Sequence, residues 1–204
     1  MIKSIVFDFG KVLVDYDFMS KIETFFFDDN SRREFAHLFV NESFQDECDM
    51  ELIPFVEIIN KKKVEYPQFS HALQMLFDNY VDIVTGEVPG MKQLMVSYKE
   101  QGLKLYGLTN WCSKVYEVMA RYDIFDLLDG RIISSEEHLI KPDVRIYNLL
   151  CRRYGLQPDE TIFTDDKIVN IEGAIRAGMH GIHFKNARQF SSEVNEIMKH
   201  FNSY

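Results

Sequence analysis

The first apolar run of the chain lies within residues 1–9 and is followed by a charged residue. Its centre is the triplet IVF at 5–7, and Gly10 closes the run. The run is too short for a helix of usual length, and its β-branched members favour a strand buried on both faces, as in a parallel sheet. Asp8 stands where the apolar residues stop. A buried carboxylate without a partner is costly, so Asp8 is expected to face a crevice or a cation.

Four further short apolar runs follow in the second half of the chain and alternate with helical patterns. The pattern predicts strands over 103–109, 131–134, 161–164 and 181–184, and helices over 91–101, 113–122, 143–154, 169–177 and 191–201. Strands and helices that alternate at this spacing form βαβ units. The chain is therefore predicted to be an α/β protein whose sheet is parallel, with right-handed crossovers.

The stretch between the first strand and this alternating part contains no convincing strand. Helices are predicted over 18–27, 31–40, 51–61 and 69–83, with Ser31 as the N-cap of the second helix. The segment TGEVPG at 85–90 carries two glycines and a proline, which is typical of a hinge-like return. These patterns predict a core formed by 1–14 and 89–204, and a small helical domain inserted at 15–88.

Composition narrows the classes of function and location. A length of 204 residues accommodates one core and a small second domain, and the formal charge of −9 disfavours nucleic acid and anionic membranes as partners. No apolar stretch approaches the roughly 20 residues that cross a bilayer, and no signal peptide is recognised. Cys48, Cys112 and Cys151 are far apart and lack metal-ligand spacing, which predicts reduced thiols and a cytoplasmic location.

Polar residues follow the predicted strands and are expected to meet at one edge of the sheet. They are Asp8, Thr109, Lys141 and the pair Asp165-Asp166. Carboxylates gathered there would repel one another unless a cation lies among them, and Mg²⁺ prefers such oxygen ligands. Lys141 and Thr109 would then offer a positive charge and a hydroxyl donor to an anion. The set predicts phosphoryl transfer with Asp8 as the nucleophile.

Four segments carry a resemblance to a known family. IVFDFGKVLVD, YGLTNW, IKPD and FTDDKIVNIEGAIRAG occur in this order and span the predicted core. In them the chain resembles the haloacid dehalogenase-like (HAD) superfamily of hydrolases with a helical cap of the C1 type. Within that family it is most similar to sugar-phosphate phosphatases and to the N-terminal phosphatase domain of soluble epoxide hydrolases. The resemblance implies a Rossmann-like three-layer core, a helical cap and Mg²⁺ as cofactor.

The resemblance also implies roles for individual residues around the phosphoryl group. Asp8 matches the nucleophile that forms an aspartyl-phosphate. Thr109 matches the hydroxyl that binds the transferring group together with the backbone N–H of Asn110. Lys141 matches the lysine that pairs with both the nucleophile and the phosphate.

The metal ligands that the family implies lie on two segments. The first segment gives the carboxylate of Asp8 and the backbone carbonyl of Gly10. Asp166, four residues before Asn170, matches the metal-binding acid of the last motif. Asp165 is either a second ligand or a residue that holds metal-bound water.

The chain departs from the family at Gly10. The usual motif is DxD, and its second Asp protonates the leaving oxygen and then activates water, help that is worth about 10²- to 10⁴-fold. The predicted function is a Mg²⁺-dependent phosphatase of a small phosphorylated metabolite, a sugar phosphate, whose leaving group needs little acid help. The protein is predicted to be a monomer or a homodimer. Two alternatives stay open: a phospho-ligand-binding module without catalysis, and a 2-haloacid dehalogenase, against which the Asp165-Asp166 pair argues.

Overall fold

The structure is a computed structural model that describes residues 1–202. Its strands are β1 (Ser4–Phe7), β2 (Val14–Tyr16), β3 (Val84–Glu87), β4 (Lys104–Thr109), β5 (Gly130–Ile133), β6 (Thr161–Asp165) and β7 (His180–His183). Its α-helices are α1 (Phe18–Glu23), α2 (Asp29–Phe39), α3 (Glu42–Met50), α4 (Phe55–Glu65), α5 (Ser70–Asp78), α6 (Met91–Glu100), α7 (Val115–Arg121), α8 (Ser134–Glu137), α9 (Val144–Tyr154), α10 (Ile168–Arg176) and α11 (Ala187–Asn202). Short 3-10 helices cover Pro67–Phe69, Tyr80–Ile83, Asp123–Leu127 and Pro158–Glu160.

Five of the strands form one sheet in the order β5-β4-β1-β6-β7, and every neighbouring pair in it is parallel. The strand β1 lies in the middle. The chain builds β4 and β5 on one side of it and then crosses over to build β6 and β7 on the other side. The strand order therefore reverses at β1, and in open α/β sheets such a reversal leaves a ligand-binding crevice outside the carboxyl ends of the strands.

The sheet is buried on both faces, as its unbroken apolar runs predict. Ile5 and Phe7 point to one face and join a cluster with α6 and α11, whereas Val6 points to the other face and packs with α9 and α10. The parallel sheet and its two helical layers confirm the predicted α/β class with a three-layer core.

A two-stranded antiparallel ribbon stands where the sequence predicts no strand. Strand β2 pairs with β3, and the register shifts between Asp15 and Tyr16. The segment predicted as a hinge-like return therefore contains a strand. Both strands are very short and the register shift interrupts the alternation of side chains, so the ribbon lacks the period-2 pattern by which strands are recognised.

The helical insertion, α1 to α5 (residues 18–78), differs from the prediction in its details. Helix α2 is capped by Asp28, whose carboxylate accepts a 2.8 Å hydrogen bond from the backbone N–H of Ser31, so the prediction of Ser31 as N-cap is wrong. Helix α3 was not predicted, and the helix expected to begin at 51 begins at Phe55. Phenylalanine rings of α2 and its neighbours fill the centre of the insertion, with Phe35 and Phe39 4.8 Å apart.

Within residues 1–202, no helix is both long and apolar enough to cross a membrane.

Candidate active site

The carboxyl ends of the neighbouring strands β1 and β6 bring the predicted carboxylates together. Asp8 directly follows β1 and is held in register by its backbone N–H, which donates to Thr164 O at 2.9 Å. Asp165 is the last residue of β6, and Asp166 comes next. One carboxylate oxygen from each of Asp8, Asp165 and Asp166 lies within 4.8 Å of the other two. Residues 157 positions apart in the chain thus share one site because the sheet places their strands side by side.

Lys141 binds two of these carboxylates, and its ammonium group has no hydrogen-bond donor left over. Its Nζ atom donates to Asp8 Oδ1 at 2.8 Å, to Asp165 Oδ2 at 2.6 Å and to Leu108 O at 2.9 Å. These bonds use all three of its protons. Burial lowers the pKa of the Lys141 ammonium, but the charges of Asp165 and Asp8 together raise it by more, so the pKa lies above its usual value. Lys141 therefore stays charged and orients Asp8.

Asn110 has a structural task that the sequence did not reveal. Its side-chain amide accepts from the backbone N–H of Lys141 at 2.8 Å and donates to the carbonyl of Lys141 at 3.0 Å. The family resemblance implied a role only for the backbone N–H of Asn110, as a hydrogen-bond donor to the phosphoryl group. The two side-chain bonds fix the loop before α9, and with it the base of the Lys141 side chain.

The two neighbouring acids, Asp165 and Asp166, differ in how open they are. Asp165 is fully buried, and besides Lys141 its oxygens accept from Asn170 Nδ2 at 3.0 Å and from the Lys167 backbone N–H at 2.8 Å. Asp166 is half-buried and lines a cavity. Burial raises the pKa of the Asp166 carboxyl group, and the charge of Asp165 raises it further. Asp166 thus presents the more accessible carboxylate.

The charges in this group do not balance. Lys141 offsets the charge of one of the three carboxylates, and the remaining negative charge contributes to a raised pKa at Asp8. The pKa of the Asp8 carboxyl group is raised to about 7: burial raises it most, Lys141 lowers it, and the charges of Asp165 and Asp166 raise it again. Three carboxylates are hard oxygen donors of the kind that hold Mg²⁺. The residues present therefore fit a divalent cation.

Two buried donors near these carboxylates lack partners within the described chain. The hydroxyl of Thr109, at the end of β4, and the indole Nε1 of Trp111 are both buried and make no hydrogen bond to the rest of residues 1–202. Both residues line the same cavity as Asp8 and Asp166. Buried donors are normally satisfied, so these two are suited to the oxygen atoms of a ligand.

The cavity above the strand ends has a volume of about 230 Å³ and is closed on one side by α3. Glu42, Gln45, Asp46 and Asp49 all line it. Their spacing of three, four and seven residues places them on one face of α3. Sequence reasoning missed this wall, although it carries several of the cavity's polar groups.

Helix α3 is fastened to the core at its carboxyl end. Ser134, fully buried after β5, donates from its hydroxyl to the carbonyl of Asp49 at 2.6 Å. The carboxylate of Glu51 accepts from the backbone N–H of Ser113 at 2.6 Å and from its hydroxyl at 2.9 Å. These bonds hold the acidic face of α3 over the strand ends.

The departure at Gly10 has a structural counterpart in Tyr16 of β2. A Cβ atom placed on Gly10 would lie 2.7 Å from Cε1 of the Tyr16 ring. Such a distance is too short for a real contact, so the ring occupies the space that a larger side chain at position 10 would enter. Tyr16 also lines the cavity.

Comparisons with known proteins agree with this geometry. Residues 2–178 match the family model described as haloacid dehalogenase-like hydrolase. The chain is 29% identical to the sesquiterpene phosphatase astK of Aspergillus oryzae over 109 residues, 53% of this chain and 56% of that protein. It is 24% identical to the glyceraldehyde 3-phosphate phosphatase of Pyrococcus abyssi over 203 residues, 91% of this chain and 82% of that protein. The chain thus spans about half the length of the first of these relatives.

Solved structures share the fold. An HAD family enzyme from Bacteroides thetaiotaomicron, in complex with magnesium and inorganic phosphate, superposes with a TM-score of 0.74 and 18% identity, covering 91% of this chain and 96% of that one. A structure described as a dehalogenase also matches, with a TM-score of 0.66 and 18% identity over 88% of this chain and 83% of that one. Because the family model covers most of the chain, the protein belongs to the haloacid dehalogenase-like hydrolases.

Proposed function

We propose that the protein is a Mg²⁺-dependent phosphatase that hydrolyses a small phosphorylated metabolite, a sugar phosphate, through an aspartyl-phosphate. One observation carries the proposal: three carboxylates lie together, two of them bind the buried ammonium of Lys141, and the cavity beside them is also lined by Thr109, whose hydroxyl has no partner within residues 1–202. Carboxylates alone would repel a phosphate. A cation, a lysine and a hydroxyl donor at the same place would hold one against Asp8.

Asp8 is the nucleophile in this proposal. Its carboxylate attacks phosphorus, the bond from phosphorus to the ester oxygen breaks, and water later attacks the aspartyl-phosphate to release phosphate. The bond from Lys141 Nζ to Asp8 Oδ1 fixes the direction of attack. In this proposal the Thr109 hydroxyl and the Asn110 backbone N–H donate to the phosphoryl oxygens, where charge is spread in the transition state; both residues line the cavity.

We propose that Asp8, Asp166 and the Gly10 carbonyl hold the metal, while Asp165 orients the neighbouring groups. This division is supported by the openness of Asp166 and by the occupied oxygens of Asp165. When bound, the ion supplies positive charge that offsets the oxygens of the phosphoryl group.

Removal of the metal tests this assignment. We expect a chelator to abolish activity, because without the metal the negative carboxylates repel the phosphate. Added Mg²⁺ should restore activity. Asp166→Asn is expected to raise the Mg²⁺ concentration for half-maximal activity by about 10- to 100-fold. The exposed Asp78→Asn on α5 serves as the control in the same titration. Full activity in chelator would contradict the proposed metal.

The phosphoryl-binding role of Thr109 gives a second test. Thr109→Val keeps the shape of the side chain and removes its hydroxyl, so we expect kcat to fall by about 10²-fold, measured with p-nitrophenyl phosphate. Thr164→Val is a matched control, since the Thr164 hydroxyl is also buried without a partner in the described residues but does not line the cavity. Equal losses in the two variants would argue against a role in phosphate binding.

The size and lining of the cavity support a small, hydroxylated substrate. A volume of about 230 Å³ lies below the range of drug-sized pockets, roughly 300–1,000 Å³. The carboxylates on α3 are acceptors for hydroxyl groups. The relative from Pyrococcus abyssi is named for a three-carbon sugar phosphate. We propose that residues 15–88 act as the cap that selects the substrate, and a screen of sugar phosphates with Mg²⁺ tests this.

The second candidate is a phospho-ligand-binding module without turnover, which the absence of an acid at position 10 favours. Calorimetry that shows tight sugar-phosphate binding together with no phosphate release would support it over the phosphatase. A cytoplasmic location remains part of the proposal, supported by Cys48, Cys112 and Cys151, which are free and buried.

A further inference from the structure

A phosphatase of an ordinary ester needs a group that protonates the leaving oxygen, and the core offers none at the usual place. Gly10 has no side chain, and the ring of Tyr16 excludes one. Lys141 has no free proton, since its three are bound to Asp8, Asp165 and Leu108 O. If the protein is the proposed phosphatase, the proton must come from another group that lines the cavity, and the wall formed by α3 carries several carboxylates.

We propose that Asp49 of α3 is the general acid and base of this enzyme, supplied by the helical insertion in place of the missing acid at position 10. This inference rests on the proposed phosphatase function and names a residue that carries out both of its proton transfers.

The position of Asp49 supports this role. The residue lines the same cavity as Asp8 and Thr109. Its backbone carbonyl is pinned by the buried hydroxyl of Ser134, which fixes the residue relative to the core. Within residues 1–202, its carboxyl group forms no hydrogen bond or ion pair, so it is available to a ligand.

Asp49 shares the cavity with Asp8 and Tyr16, and their charges influence one another. The phenol of Tyr16 is buried, and its pKa is raised first by that burial and then by the charges of Asp166, Asp8 and Asp49. Carboxylates of the core and of the insertion thus act on the same hydroxyl group. The charge of Asp8 also acts directly on Asp49. A phosphate ester bound at Asp8 would have its leaving oxygen directed away from the strand ends, towards this wall.

The chemistry of the other wall residues favours Asp49. Burial raises the pKa of its carboxyl group to about 7, against the opposing charge of Lys167. A group that titrates near neutral pH can both donate and accept a proton during one cycle. Tyr16 cannot accept one, because its pKa is raised above an already high value. Asp46, one turn earlier on α3, is exposed.

The proposed steps balance. In the first, an oxygen of Asp8 bonds to phosphorus while the phosphorus–ester oxygen bond breaks. The electron pair stays on the ester oxygen, which takes the proton of Asp49 and departs as an alcohol. In the second, the oxygen of a water molecule bonds to phosphorus while the Asp49 carboxylate takes a proton from that water. The bond from phosphorus to Asp8 breaks, and phosphate leaves with both residues restored.

The test compares two esters that differ in their need for an acid. We expect Asp49→Asn to lower kcat/KM for phenyl phosphate by about 10²-fold or more, and to lower it much less for p-nitrophenyl phosphate, whose leaving group departs without a proton. Glu47→Gln, an exposed position on α3 outside the cavity lining, should leave both values almost unchanged. A loss in Asp49→Asn by the same factor for both esters, or no loss, would overturn the proposal.

A rescue experiment separates chemistry from folding. Asp49→Ala opens space for a small carboxylic acid, so added formate is expected to restore turnover of phenyl phosphate, while circular dichroism verifies the fold. Failure of formate to act on a folded variant would count against Asp49. The proposed function fails separately, if the unaltered protein hydrolyses neither ester or if Asp8→Asn matches it.

Discussion

Replacing Asp8 by Asn is expected to abolish phosphoryl transfer, with a loss in kcat on the order of 10⁴-fold or more. The amide cannot form the aspartyl-phosphate, and the two other carboxylates at the strand ends have other tasks: Asp166 belongs to the proposed metal site, and the oxygens of Asp165 are occupied. Asp165 is bound by Lys141, Asn170 and the Lys167 backbone. The loss should appear equally with p-nitrophenyl phosphate and with a sugar phosphate, measured as phosphate released in the presence of Mg²⁺.

Asp15→Asn is the matched control for this result. Asp15 lies seven positions further along the chain, is exposed and pairs with Lys11. We expect it to keep the activity of the unaltered protein within a factor of a few. If Asp8→Asn were to turn over substrate as fast as Asp15→Asn, Asp8 would not be the nucleophile and the proposed reaction would be wrong.

Replacing Lys141 by Met is expected to cost both stability and activity. The lysine side chain is 1% exposed and bridges Asp8 and Asp165, whose side chains are 11% and 0% exposed. Removing one partner of a buried ion pair leaves the others unpaired, which destabilises a protein by about 3–5 kcal/mol. The free energy of unfolding in urea should fall by this amount, and Asp8 should lose its orientation for attack.

The surface pair of Lys3 and Glu160 provides the comparison. Lys3 is 69% exposed, and its Nζ lies 2.8 Å from Glu160 Oε1. Exposed pairs contribute about 0–1 kcal/mol, so Lys3→Met should leave the unfolding curve almost unchanged. Similar unfolding free energies for Lys3→Met and Lys141→Met would show that the buried network does not stabilise the fold.

The core was predictable from sequence because its signals are local. Each central strand is an unbroken apolar run that ends in a polar residue, as at Asp8, Thr109 and Asp165. Alternation with helices then requires a parallel sheet, and a parallel sheet places those ends at one edge. The fold class and the meeting of these side chains follow from that reasoning, whereas the family was indicated by the resemblance of four sequence segments. The roles of the individual residues remain proposals.

Helix α3 was not predictable in the same way, since it reverses the usual pattern. A surface helix turns its apolar side inward, whereas α3 turns Glu42, Asp46 and Asp49 towards the polar cavity. Only Phe44 and Cys48 are buried along it. Its N-cap was a usable signal: Asn41 accepts a 3.0 Å hydrogen bond from the Phe44 backbone N–H. Without the helix, nothing in the sequence marks Asp49.

The compensation for Gly10 also lies beyond sequence reasoning. The sequence shows that the expected acid is absent, but it does not show what fills the space. That depends on the ribbon of β2 and β3, which folds Tyr16 back beside the end of β1. A contact of this kind is set by tertiary packing rather than by spacing along the chain.

The close approach of Tyr16 to Gly10 has a consequence for how this protein and relatives with an acid at that position can be interconverted. A single change to Asp at position 10 would force the ring out of a filled space, and overpacking of this kind costs about 1–3 kcal/mol. Shortening Tyr16 alone would leave a hole in the cavity wall. Either substitution alone is therefore expected to be harmful, and only a simultaneous change at positions 10 and 16 would convert one packing into the other.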